Sequence, residues 1–353
     1  MRRIIIALVS GLLLVSALNG CRQSDDVKKI VCDTKNAVEV NPFDSESFEE
    51  VVLTPSPLAT PVHVEIPGDG SAYFNAGDTL YRYSLQDGRK ELVIGRRGRA
   101  QDEYIRLWEY WIDGEDICLY DLDTHKILRY SRDGIFRDAK PASEGENPFQ
   151  AMVRLDADRW IGRMTYRGVK GETIELGLFD NDYQLIHPIG EETLLSGMRI
   201  GYPFCKNEEG TLFVGPLKDK IWQVTENDRY VKYRVEFTDG TPNLDNYKDE
   251  FEMINDIAKE LENKDFSYSI TCLSEAGKYL GFSYLSSRKK AMYALHDMQA
   301  DKTYCINIKM PEGWQLTNSA LQGDTAYFFG FGDDEGMIIW KVKLEALVAM
   351  AGK

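Results

Sequence analysis

The chain has 353 residues, is 43% hydrophobic, and carries 57 acidic against 42 basic residues, a formal net charge of −15. That hydrophobic share can fill a large core, and a single all-β propeller or barrel routinely exceeds the usual domain length. So strong an acidic balance argues against nucleic acid as a partner and against adhesion to an anionic membrane by charge alone.

Arg2 and Arg3 form a positive n-region, and residues 4–18 form an apolar stretch too short for a comfortable membrane span. The stretch ends in Leu18-Asn19-Gly20-Cys21, which resembles the bacterial lipobox. This resemblance implies a signal peptide over 1–20 and lipidation at Cys21; an ordinary signal peptide with an incidental cysteine is the plainer alternative. Without 1–20, which hold two basic residues and no acid, the balance is 40 (42 − 2) against 57, or −17. Ser24-Asp25-Asp26 resembles the surface-export tag of Bacteroidota lipoproteins, implying an outer-membrane lipoprotein exposed at the cell surface, with a periplasm-facing one as the alternative. Residues 21–50 are polar and acidic and read as a tether that holds the globular part off the bilayer.

From residue 51 onward a short alternating strand, a turn and the start of another strand recur. The best-written copy is KILRYSRDGIF at 126–136, a hairpin signal with an Asp-Gly turn. Aligning Tyr83, Tyr130, Phe179, Val224, Leu295 and Val342 gives gaps of about 45–49 residues, with one of about 71. Six copies at that period predict an all-β, six-bladed β-propeller of four-stranded antiparallel blades over 51–353. The prolines at 55, 57, 61 and 67 limit the first strands to short or edge positions. The segment 51–66 is the expected partner of 340–344, closing the last blade. The long gap is explained by 245–264, where Tyr247, Phe251, Ile254, Ile257 and Leu261 fall three or four apart behind Pro242 and Asn243. This predicts one inserted helix between blades four and five, at about 243–264.

Residues 94–107, IGRRGRAQDEYIRL, resemble the segment after the first blade in the six-bladed, TolB-like (NHL-like) β-propeller lipoproteins of Bacteroidota. Gly95, Arg96, Gly98, Arg99, Glu103 and Tyr104 match that pattern, while Ala100-Gln101-Asp102 replaces its Gly-Pro-Gly. The resemblance implies the fold and an envelope location rather than a particular ligand.

Propeller geometry puts the links between blades and the turn between each blade's second and third strands on one face. That face would carry Arg96, Arg97, Arg99, Glu103, Tyr104, Asp121, Asp123, His125, Arg167 and Arg288, the candidate ligand face. Its arginines suit an anionic or polyhydroxyl ligand, although ordinary turn chemistry also accounts for them. Asp121 with Asp123, and Asp333 with Asp334, offer oxygens for a possible Ca²⁺, again with turns as the plain alternative. No cofactor is otherwise expected. Trp108, Tyr110 and Trp111 read as core, with a sugar platform as the sharper option. Cys32, Cys118, Cys205, Cys272 and Cys305 are odd in number and form no CxxC, so their pairing stays open. His63, His125, His187 and His296 form no HExxH, and neither a GxSxG elbow nor a P-loop occurs.

The expected function is a lipid-anchored binding or interaction module for a glycan, a peptide or an outer-membrane partner protein, without catalysis. A metal-dependent propeller hydrolase or lactonase and a periplasm-facing TolB-like scaffold are the alternatives.

Overall fold

The computed structural model describes residues 27–142, 149–167, 173–190, 202–215, 218–241, 252, 255–257, 259–260, 265–286, 291–332 and 336–352. Three short strands come first: β1 (Lys28–Cys32), β2 (Val38–Val40) and β3 (Phe48–Val52). Blade one is β4–β7 (Pro61–Glu65, Ser71–Ala76, Thr79–Ser84, Lys90–Ile94) and blade two β8–β11 (Leu107–Asp113, Asp116–Asp121, Lys126–Ser131, Phe136–Pro141). Blade three is β12–β15 (Phe149–Arg154, Arg159–Arg167, Thr173–Asp180, Leu185–Pro188) and blade four β16–β19 (Phe204–Asn207, Gly210–Val214, Lys220–Val224, Arg229–Phe237). Blade five is β20–β23 (Ser267–Ala276, Tyr279–Ser286, Ala291–Asp297, Lys302–Ile308), and blade six begins with β24–β26 (Trp314–Gln322, Thr325–Gly332, Gly336–Lys343). Within each blade, strands consecutive in the chain pair antiparallel. The predicted six-bladed propeller is the observed fold.

Sheets stacked around an axis are covered on both faces, so their strands are apolar on both sides rather than alternating. β5, SAYFNA, is buried at all its positions. Neighbours on one strand then serve different seams. Tyr110 packs between blades one and two, and Trp111 between blades two and three. Equivalent apolar clusters join three to four, four to five and five to six. The ring closes where Phe329 and Ile339 of blade six meet Phe74 and Tyr83 of blade one.

Closure uses an N-terminal strand, as expected, but only Val51 and Val52 of the expected segment 51–66 belong to it. β3 pairs antiparallel with β26, Glu50 opposite Trp340 and Phe48 opposite Val342, while Pro61–Glu65 is the first strand of blade one. Gly88, in the turn after β6, presses on that closing strand. Its φ is +69°, and a Cβ there would lie 2.0 Å from the Val52 carbonyl oxygen, so only glycine fits.

Two expectations are corrected. The stretch read as a tether over 21–50 contains strands from residue 28 on: β1 adds parallel to β19 at the rim of blade four, and β2 parallel to β23 at the rim of blade five. Its short amphipathic pattern, with Ile30 and Cys32 buried and the two lysines exposed, hides inside a charged composition. Unpaired sheet edges invite other chains, and these added strands cover two of them. The helix was placed between blades four and five. The complete α-helix among the described residues is instead α1 (Leu344–Ala351) at the C-terminal end, where Leu344 and Leu347 sink into the core between blades five and six. The segment 243–264 lies mostly outside the described residues; 252, 255–257 and 259–260 are described there, with helical backbone. Residues 1–26, including the lipobox-like Leu18-Asn19-Gly20-Cys21 and Ser24-Asp25-Asp26, lie outside the described residues.

Candidate functional site

The first strands of the blades, β4, β8, β12, β16, β20 and β24, each contact the next around the ring and form the innermost layer about the axis. Between four of these blades is a cavity of about 190 Å³, lined by residues 63–67, Tyr202, Phe204, 272–274 and 318–321. No Lys or Arg is among these residues.

The chemistry is concentrated on β4. His63 and Glu65 are two apart on an extended strand, so their side chains leave on the same side. His63 is 1% exposed. Its Nδ1 is 2.9 Å from Oε1 of Glu109 on β8, itself fully buried. With Glu109 a carboxylate, Nδ1–H is the donor, and in the neutral ring this leaves Nε2 as an acceptor. Among the described residues Nε2 has no hydrogen-bond partner; Oε1 of Glu65 is 3.6 Å away. The imidazole is held between Tyr110 (centroids 4.5 Å apart) and Tyr202 (4.3 Å, planes within 3°). Each phenol is fixed in turn, Tyr110 Oη donating to the Tyr73 carbonyl (2.7 Å) and Tyr202 Oη to the Met152 carbonyl (2.6 Å). Burial pushes both phenols well up, so they stay neutral hydrogen-bond donors. Burial also pushes Glu65 up to about 7, against the opposing pull of His63 and of the Ile112 amide that donates to its Oε1.

The far wall comes from blades five and six. Ser269 and Cys272 on β20 have φ of +58° and +52°, and the register of β20 against β21 shifts on either side of Thr271. Non-glycine residues seldom adopt that region. Cys272 Sγ donates to Oδ1 of Asn318 (3.6 Å), whose Nδ2 donates to the Pro61 carbonyl (3.2 Å), tying blade six to β4. Burial raises the Cys272 thiol, so it is a weak donor rather than a nucleophile.

The residues singled out in the sequence form a different neighbourhood. The link from blade one to blade two meets the β9–β10 turn as expected. Buried Asp121 accepts from the amides of Ile105 (3.1 Å) and Arg106 (3.0 Å) and from the Thr124 hydroxyl (2.6 Å). Asp123 pairs with Arg106 (2.5 Å). Both oxygens of Asp121 and Oδ1 of Asp123 are thus engaged within this turn and link, and Asp333 and Asp334, also considered for Ca²⁺, lie outside the described residues. Among the described residues, no group of three His, Cys, Asp or Glu is placed to hold a metal.

Arg96 pairs with Glu103 (2.6 Å) and Arg97 with Asp78 (3.6 Å), while Arg99 is exposed. Glu103 also accepts from the Ala100 amide (2.7 Å), and this bond, ahead of the Arg96 charge, holds its carboxyl below the usual range. Tyr104 is buried and donates to the Asp78 carbonyl (2.7 Å), serving as the loop's anchor. His125 is exposed, with Nδ1 3.0 Å from the Tyr120 hydroxyl. Arg167 ends β13 with its side chain outside the description, and Arg288 lies outside the described residues. Trp111 is buried and Trp108 partly buried, both packed in the core between blades two and three. The channel group of His63, Glu65, Glu109 and Tyr202 was missed. The available signal was His63-Val64-Glu65, a His and an acid on one side of a predicted strand.

In overall structure the chain is similar to a putative exported protein from Bacteroides fragilis, with a TM-score of 0.69 at 16% identity over 90% of this chain and 99% of that one. It is also similar to a member of the DUF4221 family from Bacteroides vulgatus, with a TM-score of 0.53 at 12% identity over 84% and 96% of the two chains. At these identities the likeness is one of fold. No curated protein matches the chain. A family model matches residues 62–341, nearly the whole propeller, and the chain belongs to that family, DUF4934, a domain of unknown function.

Proposed function

We propose that this protein is a lipid-anchored binding module of the cell envelope that takes a small polar ligand, or the polar end of a larger one, into the central channel. The observation that carries the reading is His63: a deeply buried imidazole that lines the cavity and whose Nε2 has no hydrogen-bond partner among the described residues. Burying an unsatisfied polar atom costs about 1–3 kcal/mol, and a bound donor recovers it. The lipobox at Cys21 supports the anchor, as does the fold shared with a putative exported protein.

The link from Cys21 to β1 would then be six residues, 22–27, spanning at most about 20 Å at ~3.5 Å per residue. β1 runs parallel to β19, so this link approaches from the side of the β18–β19 turn. The first turns of blades one and six, next to the cavity, lie on that same side of the ring. A lipid at Cys21 would hold the cavity side toward the bilayer. Protein purified from its own envelope and then denatured should release a small molecule that the His63→Ala protein does not retain. Identical extracts from the two proteins would sink the reading.

A further inference from the structure

We infer that the channel site is built for a protonated amine: an ammonium group that inserts between Nε2 of His63 and the carboxylate of Glu65. This inference rests on the channel being the binding site. The charges around the cavity point one way. Glu65 lines it and Glu109 lies behind His63, while no Lys or Arg is among the lining residues. An anion would be repelled there by Glu65, and a hydroxyl brings no positive charge to it.

The geometry suits an ammonium in particular. Nε2 of His63 and Oε1 of Glu65 are 3.6 Å apart, too far to bond each other directly. Two acceptors at that spacing can both receive N–H groups from one nitrogen that carries three donors. Ser319 and Asn318 on the far wall supply further oxygens. His63 is already engaged through Nδ1 with Glu109, so Nε2 is the ring nitrogen left for a ligand.

Binding should depend on the state of Glu65. Facing it are His63 on its own strand, Glu109 on β8, Tyr202 ahead of β16 and Arg132 in the turn after β10. Because burial pushes Glu65 up to about 7, it is largely ionised at pH 8 and largely neutral at pH 6. Amine affinity should fall about tenfold between those pH values, following the ionised fraction.

The test uses protein with labelled histidine rings, whose four imidazoles are few enough to assign with a His63→Gln control. It is titrated at pH 8 and pH 6 with three probes of one length: n-butylamine, 1-butanol and butyrate. The expected result is that the amine alone shifts the His63 ring at pH 8, about tenfold more weakly at pH 6. In Glu65→Gln, which keeps an acceptor for the Ile112 amide, the amine should bind weakly at both pH values. If butanol or butyrate shifts the His63 ring as strongly as the amine, the amine assignment is overturned while the channel remains a binding site. If none of the three shifts a visible His63 ring, the channel reading falls with it.

Discussion

The loop at 95–106 and the central channel both concentrate charged and aromatic residues, but they treat charge in opposite ways. In the loop, Arg96 and Arg97 face Glu103 and Asp78, and the glutamate is further satisfied by a backbone amide. All of this takes place in contact with water, where such pairs are worth about 0–1 kcal/mol. In the channel, His63 and Glu109 are withdrawn from solvent, and one ring nitrogen is left over. Compensated charge at the surface shapes a turn. Charge in a cavity with one atom uncompensated invites a ligand.

That contrast can be broken or sharpened by substitution. Glu109→Ala should have the largest effect, because it strips the partner from a buried imidazole. A loss of about 3 kcal/mol is expected, read as a lowered urea midpoint at unchanged slope. A loss under about 0.5 kcal/mol would mean that the buried pair holds nothing in place.

Glu65→Gln should act in the other direction. The folded-state pKa of Glu65 is raised to about 7, so the native protein holds a proton that the unfolded chain releases. Stability contributed by wild-type Glu65 is therefore lost as pH rises from about 4.5 through 7. The Gln variant should be more stable than wild type at pH 8, by about 1–2 kcal/mol after allowance for the partial exposure of this side chain. The two proteins should converge near pH 4.5, the ordinary value for a glutamate. A difference that does not change with pH would refute the shift.

Arg96→Ala should have the smallest effect, within about 0.5 kcal/mol, because its partner Glu103 keeps the Ala100 amide. A fall in melting temperature as large as that of Glu109→Ala would erase the distinction between the two regions.

Much of the fold could be read in advance because a repeat announces itself by period, and the residues that set the period are local. Tyr83, Tyr130, Phe179, Val224, Leu295 and Val342 are all buried core residues. What failed were elements whose role depends on distant partners. β1 is a weak strand on its own and becomes one through β19, which lies some two hundred residues away. The loop near Arg96 drew attention because its charges are adjacent in sequence, whereas the salt bridge that neutralises Arg97 comes from Asp78 in the turn before β6.

Composition, the repeat period and strand patterning by themselves determined that the chain is an acidic all-β propeller of six blades, because those signals come from neighbouring residues. The tertiary structure alone decided that the N-terminal segment belts the rim and that His63, Glu65 and Tyr202 line one cavity with Glu109 behind His63. The physical reason is that ring closure brings blades one, four, five and six together around the cavity, and the burial that raises Glu65 exists only once the ring is closed.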